Sequence, residues 1–130
     1  MDRHDRKVFN DPVFLRATES SLEVHPEATF NLIFHGDSNN EVSAKQEFER
    51  ECPGLVKLKK KFPDRVHIRW SPIKPRQHYA VVDQKKTVFE EPKHRPNEQP
   101  WGHITEDRLT AMEWDGKFNE FAQYCHELSF

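Results

Sequence analysis

Four glycines in 130 residues, Gly36, Gly54, Gly102 and Gly116, stand too far apart to build a glycine-rich phosphate loop, and no G-x-S-x-G elbow occurs. That removes the nucleotide-binding loops and serine hydrolases recognised by those motifs. Cysteine is equally scarce: Cys52 and Cys125 are distant and lack C-x-x-C spacing. The expectation is two reduced thiols acting as small buried hydrophobes, not a redox pair or a zinc ligand set. No apolar run follows the charged start Met1 to Lys7, and none is long enough to span a bilayer. A cytoplasmic protein with no secretion signal and no membrane span is expected.

Charge of a single sign is also missing. Twenty Lys and Arg face 22 Asp and Glu for a formal net charge of -2, so no overall field draws the chain to nucleic acid or anionic lipid. A nucleic-acid contact stays open only through a local patch. With 35% hydrophobic residues and a mean hydropathy of -0.95 the composition leans toward disorder, yet ten Phe, three Trp and regularly spaced aliphatics point to folding. The length suits one α/β domain over 1–130, with 1–10 as a flexible N-terminus and 91–100, holding Pro92, Pro96 and Pro100, as a loop.

Local signals order the elements. Asp11-Pro12 before Val13, Phe14, Leu15, Thr18 and Leu22 is an N-cap, a proline at the first helical position and an apolar stripe, so a helix is expected up to His25-Pro26. Thr29 to His35 is a β-prone run closed by Gly36-Asp37-Ser38-Asn39-Asn40, and is the candidate central strand. Ser43 with Gln46 suggests a capping box for a helix to Glu51, and a short helix from Leu55 to Phe62 follows Cys52-Pro53-Gly54. The alternation of Val66, Ile68 and Trp70 with His67 and Arg69 reads as a half-buried strand. Tyr79 to Asp83 and Thr87 to Glu90 flank Gln84-Lys85-Lys86 as a hairpin, and Trp101 to Thr105 is a further strand. After Asp115-Gly116, the stripe Phe118, Phe121, Ala122, Cys125 and Leu128 predicts a closing helix, with Leu109 to Trp114 ambiguous. Trp70 and Trp114 are assigned to the interior. The sum is a mixed β-sheet flanked by helices.

Eight histidines invite a metal, but their nearest pairs, His25 with His35 and His94 with His103, lack chelating steps. The adjacent pairs His4-Asp5 and Cys125-His126 do not readily face one centre, so neither a metal nor any other cofactor is expected. The densest basic cluster, Lys57, Lys59, Lys60 and Lys61, lies on a predicted amphipathic helix and reads as a solvated face, with a phosphate-binding patch as the alternative. Joined to Trp101 or Tyr79 as stacking platforms, it is also the best nucleic-acid reading the sequence offers.

The most informative stretch is Lys74-Pro75-Arg76-Gln77-His78-Tyr79-Ala80-Val81-Val82-Asp83, basic and imidazole groups ahead of an apolar strand that ends in a carboxylate. It resembles the signature strand of the phospholipase D-like superfamily, H-x-K-x-x-x-x-D, as a single half-length domain. The resemblance implies that fold, with the motif His as nucleophile or acid/base on a phosphodiester and the motif Lys gripping the phosphate. It also implies a homodimer, because two halves generally pair around one site. With Asp83 in the place of the motif Asp, Arg76 stands where the His belongs and His78 where the Lys belongs. With His78 in the place of the His, Ala80 and Lys85 take the other two positions, and no G-S-x-N turn follows.

Covalent phosphodiester chemistry needs a nucleophile that sheds its proton near neutral pH, and a guanidinium does not. Lys74, Arg76 and His78 retain the ability to bind an oxyanion. The expected function is therefore a non-catalytic recognition module for an anionic or phosphorylated ligand, or for a protein, with Lys74, Arg76, His78 and Asp83 as its surface. The alternatives are a phosphodiesterase or nuclease in which His78 from two subunits meets at a dimer interface, and an adaptor that docks proteins through 91–100 without a small ligand.

Overall fold

The computed structural model describes residues 8–36, 39–74, 78–82, 86–90 and 102–130, the side chains at 78–80, 82, 86–90 and 102–103 excepted. Of the expected flexible start 1–10, residues 1–7 lie outside the described residues, whereas Phe9 packs edge-on against Phe14 beside the core; the expected proline-rich loop 91–100 lies outside the described residues as well. Two compact units are present, Met1–Ile73 with Cys125–Phe130, and Lys74–Tyr124.

The first unit is a mixed α/β layer. Helix α1 (Pro12–Val24) begins where Asp11 accepts a hydrogen bond from the Val13 amide and Pro12 occupies the first turn. Strand β1 (Phe30–Phe34) leads to helix α2 (Glu41–Glu51) and helix α3 (Pro53–Lys61), and then to strand β2 (Val66–Trp70). β1 and β2 pair in parallel, Phe30 opposite Val66 through Phe34 opposite Trp70, a geometry that requires the helical crossover between them. The two-residue strand β6 (His126–Glu127) returns antiparallel to the other side of β2, Arg69 opposite Glu127 and Trp70 opposite His126.

That sheet order, β1-β2-β6, makes β2 the central strand and leaves β1 at an edge among the described residues. The expectation for Thr29 to His35 is thereby corrected: its continuous apolarity reflects helices packed on it, not strands on both sides. β2 shows the alternation its sequence implies, with Val66, Ile68 and Trp70 buried and His67 and Arg69 half-buried. The cap of α2 is also corrected. Asn40, not Ser43, caps the helix, its side-chain oxygen accepting from the Ser43 amide at 2.9 Å.

Cys52 ends α2 and opens α3, where Pro53 fills a position that needs no amide donor. α3 starts two residues before the expected Leu55. Gly54 faces the Leu15 side chain of α1 so closely that a Cβ there would require Leu15 to shift. The core joins Leu22, Phe34, Ala44, Phe48, Leu55, Ile68 and Leu128 among others. Neither cysteine is in a disulfide; Cys52 is buried and Cys125 half-buried.

The second unit is an antiparallel sheet with one helix. Strands β3 (His78–Val82), β4 (Lys86–Glu90) and β5 (Gly102–Thr105) pair in that order, with Tyr79 opposite Phe89 and Val88 opposite Ile104. The antiparallel pair and the following strand stand as expected, except that Lys86, expected in the turn, opens β4, and 83–85 lie outside the described residues. Helix α4 (Arg108–Ala122) differs from expectation. Asp107 caps it, accepting from the Leu109 amide and the Thr110 hydroxyl. Asp115-Gly116 lies inside the helix instead of before it, since one helical glycine costs only about 1 kcal/mol and the cap outweighs it. The helix stops at Ala122, so Cys125 and Leu128 leave the expected stripe; Leu128 is buried in the first unit, its amide bonded to the Ile68 carbonyl. Trp70 is interior as expected, whereas Trp114 is half-buried under the Lys117 ammonium, 4.2 Å from its ring centre. Among the described residues no helix is long and apolar enough to cross a membrane.

Candidate functional site

β2 ends at Trp70 and the chain runs through Ser71, Pro72 and Ile73 to Lys74. Ser71 is buried, its amide bonded to the Phe34 carbonyl and its hydroxyl to the Ile73 carbonyl. Lys74, which follows, is an exposed side chain with no ion pair among the described residues. His78 is the first residue of β3, in register with Glu90. Arg76 and Asp83 lie outside the described residues, as does the side chain of His78. Of the four residues singled out from the sequence, Lys74 is exposed and the His78 backbone opens β3, while 75–77 between them lie outside the described residues.

The lysine cluster meets a different fate. All four residues sit on α3, but two are consumed within the fold. Lys59 Nζ lies 2.9 Å from the Pro63 carbonyl and 3.3 Å from Glu127 Oε1, with its side chain only 12% exposed. Lys61 Nζ is held between Glu19 and Glu23 of α1 at 2.5 and 2.6 Å. The hydrogen bonds it donates to Glu19 and then Glu23 keep its ammonium above the ordinary lysine range. Lys57 and Lys60 remain exposed without an ion pair among the described residues. Half of the cluster is thus engaged by carboxylates, and Lys59 and Lys61 also suit the carbonyl end of α3.

A second group of residues gathers at the carboxyl ends of β1 and β2, the edge where ligands generally enter parallel α/β sheets. His35 Nδ1 lies 2.9 Å from the Ser71 carbonyl, and the Trp70 indole donates to the His35 carbonyl at 3.0 Å. A carbonyl only accepts, so Nδ1 is the donor in this bond. Gly36 follows with φ of 68°, and the Glu47 carboxylate stands 3.1 Å from where its Cβ would be. His126 stacks on Trp70 at 5.6 Å between ring centres and pairs with Glu41 at 3.4 Å. Cys125 lies beside Ser71; burial pushes its thiol up, outweighing the Ser71 hydrogen bond and the Arg69 charge.

Sequence reading missed this edge, although Gly36 and the polar turn after β1 were its visible trace. The missing signal is long-range: residue 35 meets residue 71 only once the parallel pairing is set. Among the described residues no three His, Cys, Asp or Glu side chains converge as metal ligands. Comparison with protein-family models, curated proteins and solved structures finds no match. The reading of the site therefore stands on its own residues.

Proposed function

We propose that the chain is a non-catalytic recognition module of phospholipase D-like descent, binding an anionic or phosphorylated group through Lys74, Arg76, His78 and Asp83. The observation that carries this reading is a contrast between the two cationic segments. On α3, Lys59 and Lys61 are neutralised by Glu127, Glu19 and Glu23, whereas Lys74 is exposed and uncommitted among the described residues. An ammonium already held by carboxylates must give them up before it grips a phosphate; an uncommitted one need not. A flexible ammonium beside a bidentate guanidinium and an imidazole donor suits a tetrahedral oxyanion.

The same residues argue against phosphodiester hydrolysis. With Asp83 at the motif carboxylate, the nucleophile position is Arg76, which cannot lose its proton, and the cation position is His78. Homodimer pairing and an enzymatic His78 belong to the family pattern, and the substituted positions speak for binding without turnover.

Isothermal titration of the full chain with inorganic phosphate tests the proposal. Arg76→Ala is expected to weaken binding by about 1.5 to 3 kcal/mol, the worth of a charge-assisted contact. Unaltered affinity in Arg76→Ala, or phosphate binding lost only with Lys57→Ala and Lys60→Ala, removes the assignment.

A further inference from the structure

Helix α4 buries Ala111 and presents the opposite face to solvent, where Leu109 is 77% and Met112 52% exposed. Gly116 lies on that same face, and a Cβ built on it would meet nothing within 4 Å. A glycine in mid-helix costs about 1 kcal/mol relative to alanine, and among the described residues no close packing accounts for it here. The result is an exposed apolar knob one turn away from a notch.

Charge flanks this face in a self-complementary order. Arg108 stands near the start of the helix and Glu120 near its end, and neither takes part in an ion pair among the described residues. Lys117, by contrast, is occupied, 3.4 Å from Glu113 and over the Trp114 ring. An antiparallel crossing of two copies of α4 at the height of residue 114 sets Met112 against the partner's Gly116. It also sets Arg108 against the partner's Glu120. Two-fold symmetry makes each contact twice, as an isologous interface requires.

We infer that this face of α4 is a self-association surface whose occupant is a second copy of the chain, Met112 entering the notch at the partner's Gly116 and Arg108 pairing with the partner's Glu120. An unrelated protein would have no reason to meet a pattern that complements itself. One helix face is small beside standard interfaces, so the dimer is weak and concentration-dependent.

Sedimentation velocity on the full chain over roughly two decades of concentration tests this. A monomer-dimer equilibrium is expected, weakened about tenfold or more by Arg108→Glu and restored by Arg108→Glu combined with Glu120→Arg. Gly116→Leu is expected to abolish the dimer while holding or raising the thermal midpoint, because leucine is the better helix former. A monomer at every concentration overturns the inference. So does a dimer that the charge reversal leaves unchanged, or one that survives Gly116→Leu.

Discussion

Replacing Phe48 by alanine tests the packing that holds the first unit together. Phe48 is fully buried on α2, its ring 4.8 Å from that of Phe34 at the end of β1 and 5.9 Å from that of Phe130. It therefore joins a crossover helix, the parallel strand and the C-terminal segment. Phe→Ala in a core of this kind costs about 3 to 5 kcal/mol, from lost transfer energy plus the cavity left behind. Set against a total of about 5 to 15 kcal/mol for a domain, that is about a fifth of the stability or more. Urea denaturation followed by tryptophan fluorescence reads it: with a slope of about 2 kcal/mol/M, the midpoint falls by roughly 1.5 to 2.5 M. Val42→Ala on the same helix is the control. Its side chain is exposed, and its midpoint is expected to move by no more than the equivalent of about 0.5 kcal/mol. If Phe48→Ala behaves like Val42→Ala, the packing of α2 on β1 described above is wrong.

Glu127 supplies a pH prediction. Burial pushes its carboxyl up, but hydrogen bonds from His67 at 2.5 Å and Lys59 at 3.3 Å outweigh this and hold it below its ordinary range. A carboxylate depressed by folding contributes stability that is complete above its unfolded pKa of about 4.3 and lost as pH falls through the lower folded value. Thermal midpoints measured from neutral pH down into that acid window should fall less steeply for Glu127→Gln than for the parent chain; equal slopes contradict the assignment. Asp107→Ala removes both bonds that start α4 and is expected to cost about 1 kcal/mol, visible as a lower midpoint in the second unit and as reduced helicity by circular dichroism. Gly36→Ala places a side chain at a φ of 68° and is expected to cost about 1 to 2 kcal/mol in urea denaturation, where a neutral effect would contradict the left-handed turn after β1.

Elements whose signals are local were legible in the sequence. Asp11-Pro12 marked α1, the alternation from Val66 to Trp70 marked β2, and two apolar runs around Gln84-Lys85-Lys86 marked the hairpin. What escaped depended on distant partners. Thr29 to His35 reads as central because apolarity reports burial without saying whether a strand or a helix does the burying; here β2 takes the middle. The closing stripe through Cys125 and Leu128 has helical spacing by coincidence, and its last members are claimed by β2 through the pairing of His126 and Glu127. Asp115-Gly116 reads as a boundary, yet a good cap at Asp107 carries the helix past it. The same limit applies at the site. Lys59 and Lys61 look free in the sequence because Glu127 and Glu19 are 68 and 42 residues away. His35 gives no sign of its bond to Ser71 until β1 and β2 are placed in register.

The central claim, that anions are met at the entry to β3 and not on α3, is most directly tested by titrating the isotope-labelled full chain with inorganic phosphate and following backbone amides by nuclear magnetic resonance. Saturable shifts concentrated on 74–79, with 57–61 unmoved, are the outcome the account predicts. Shifts centred on the α3 lysines, or none that saturate, would contradict it.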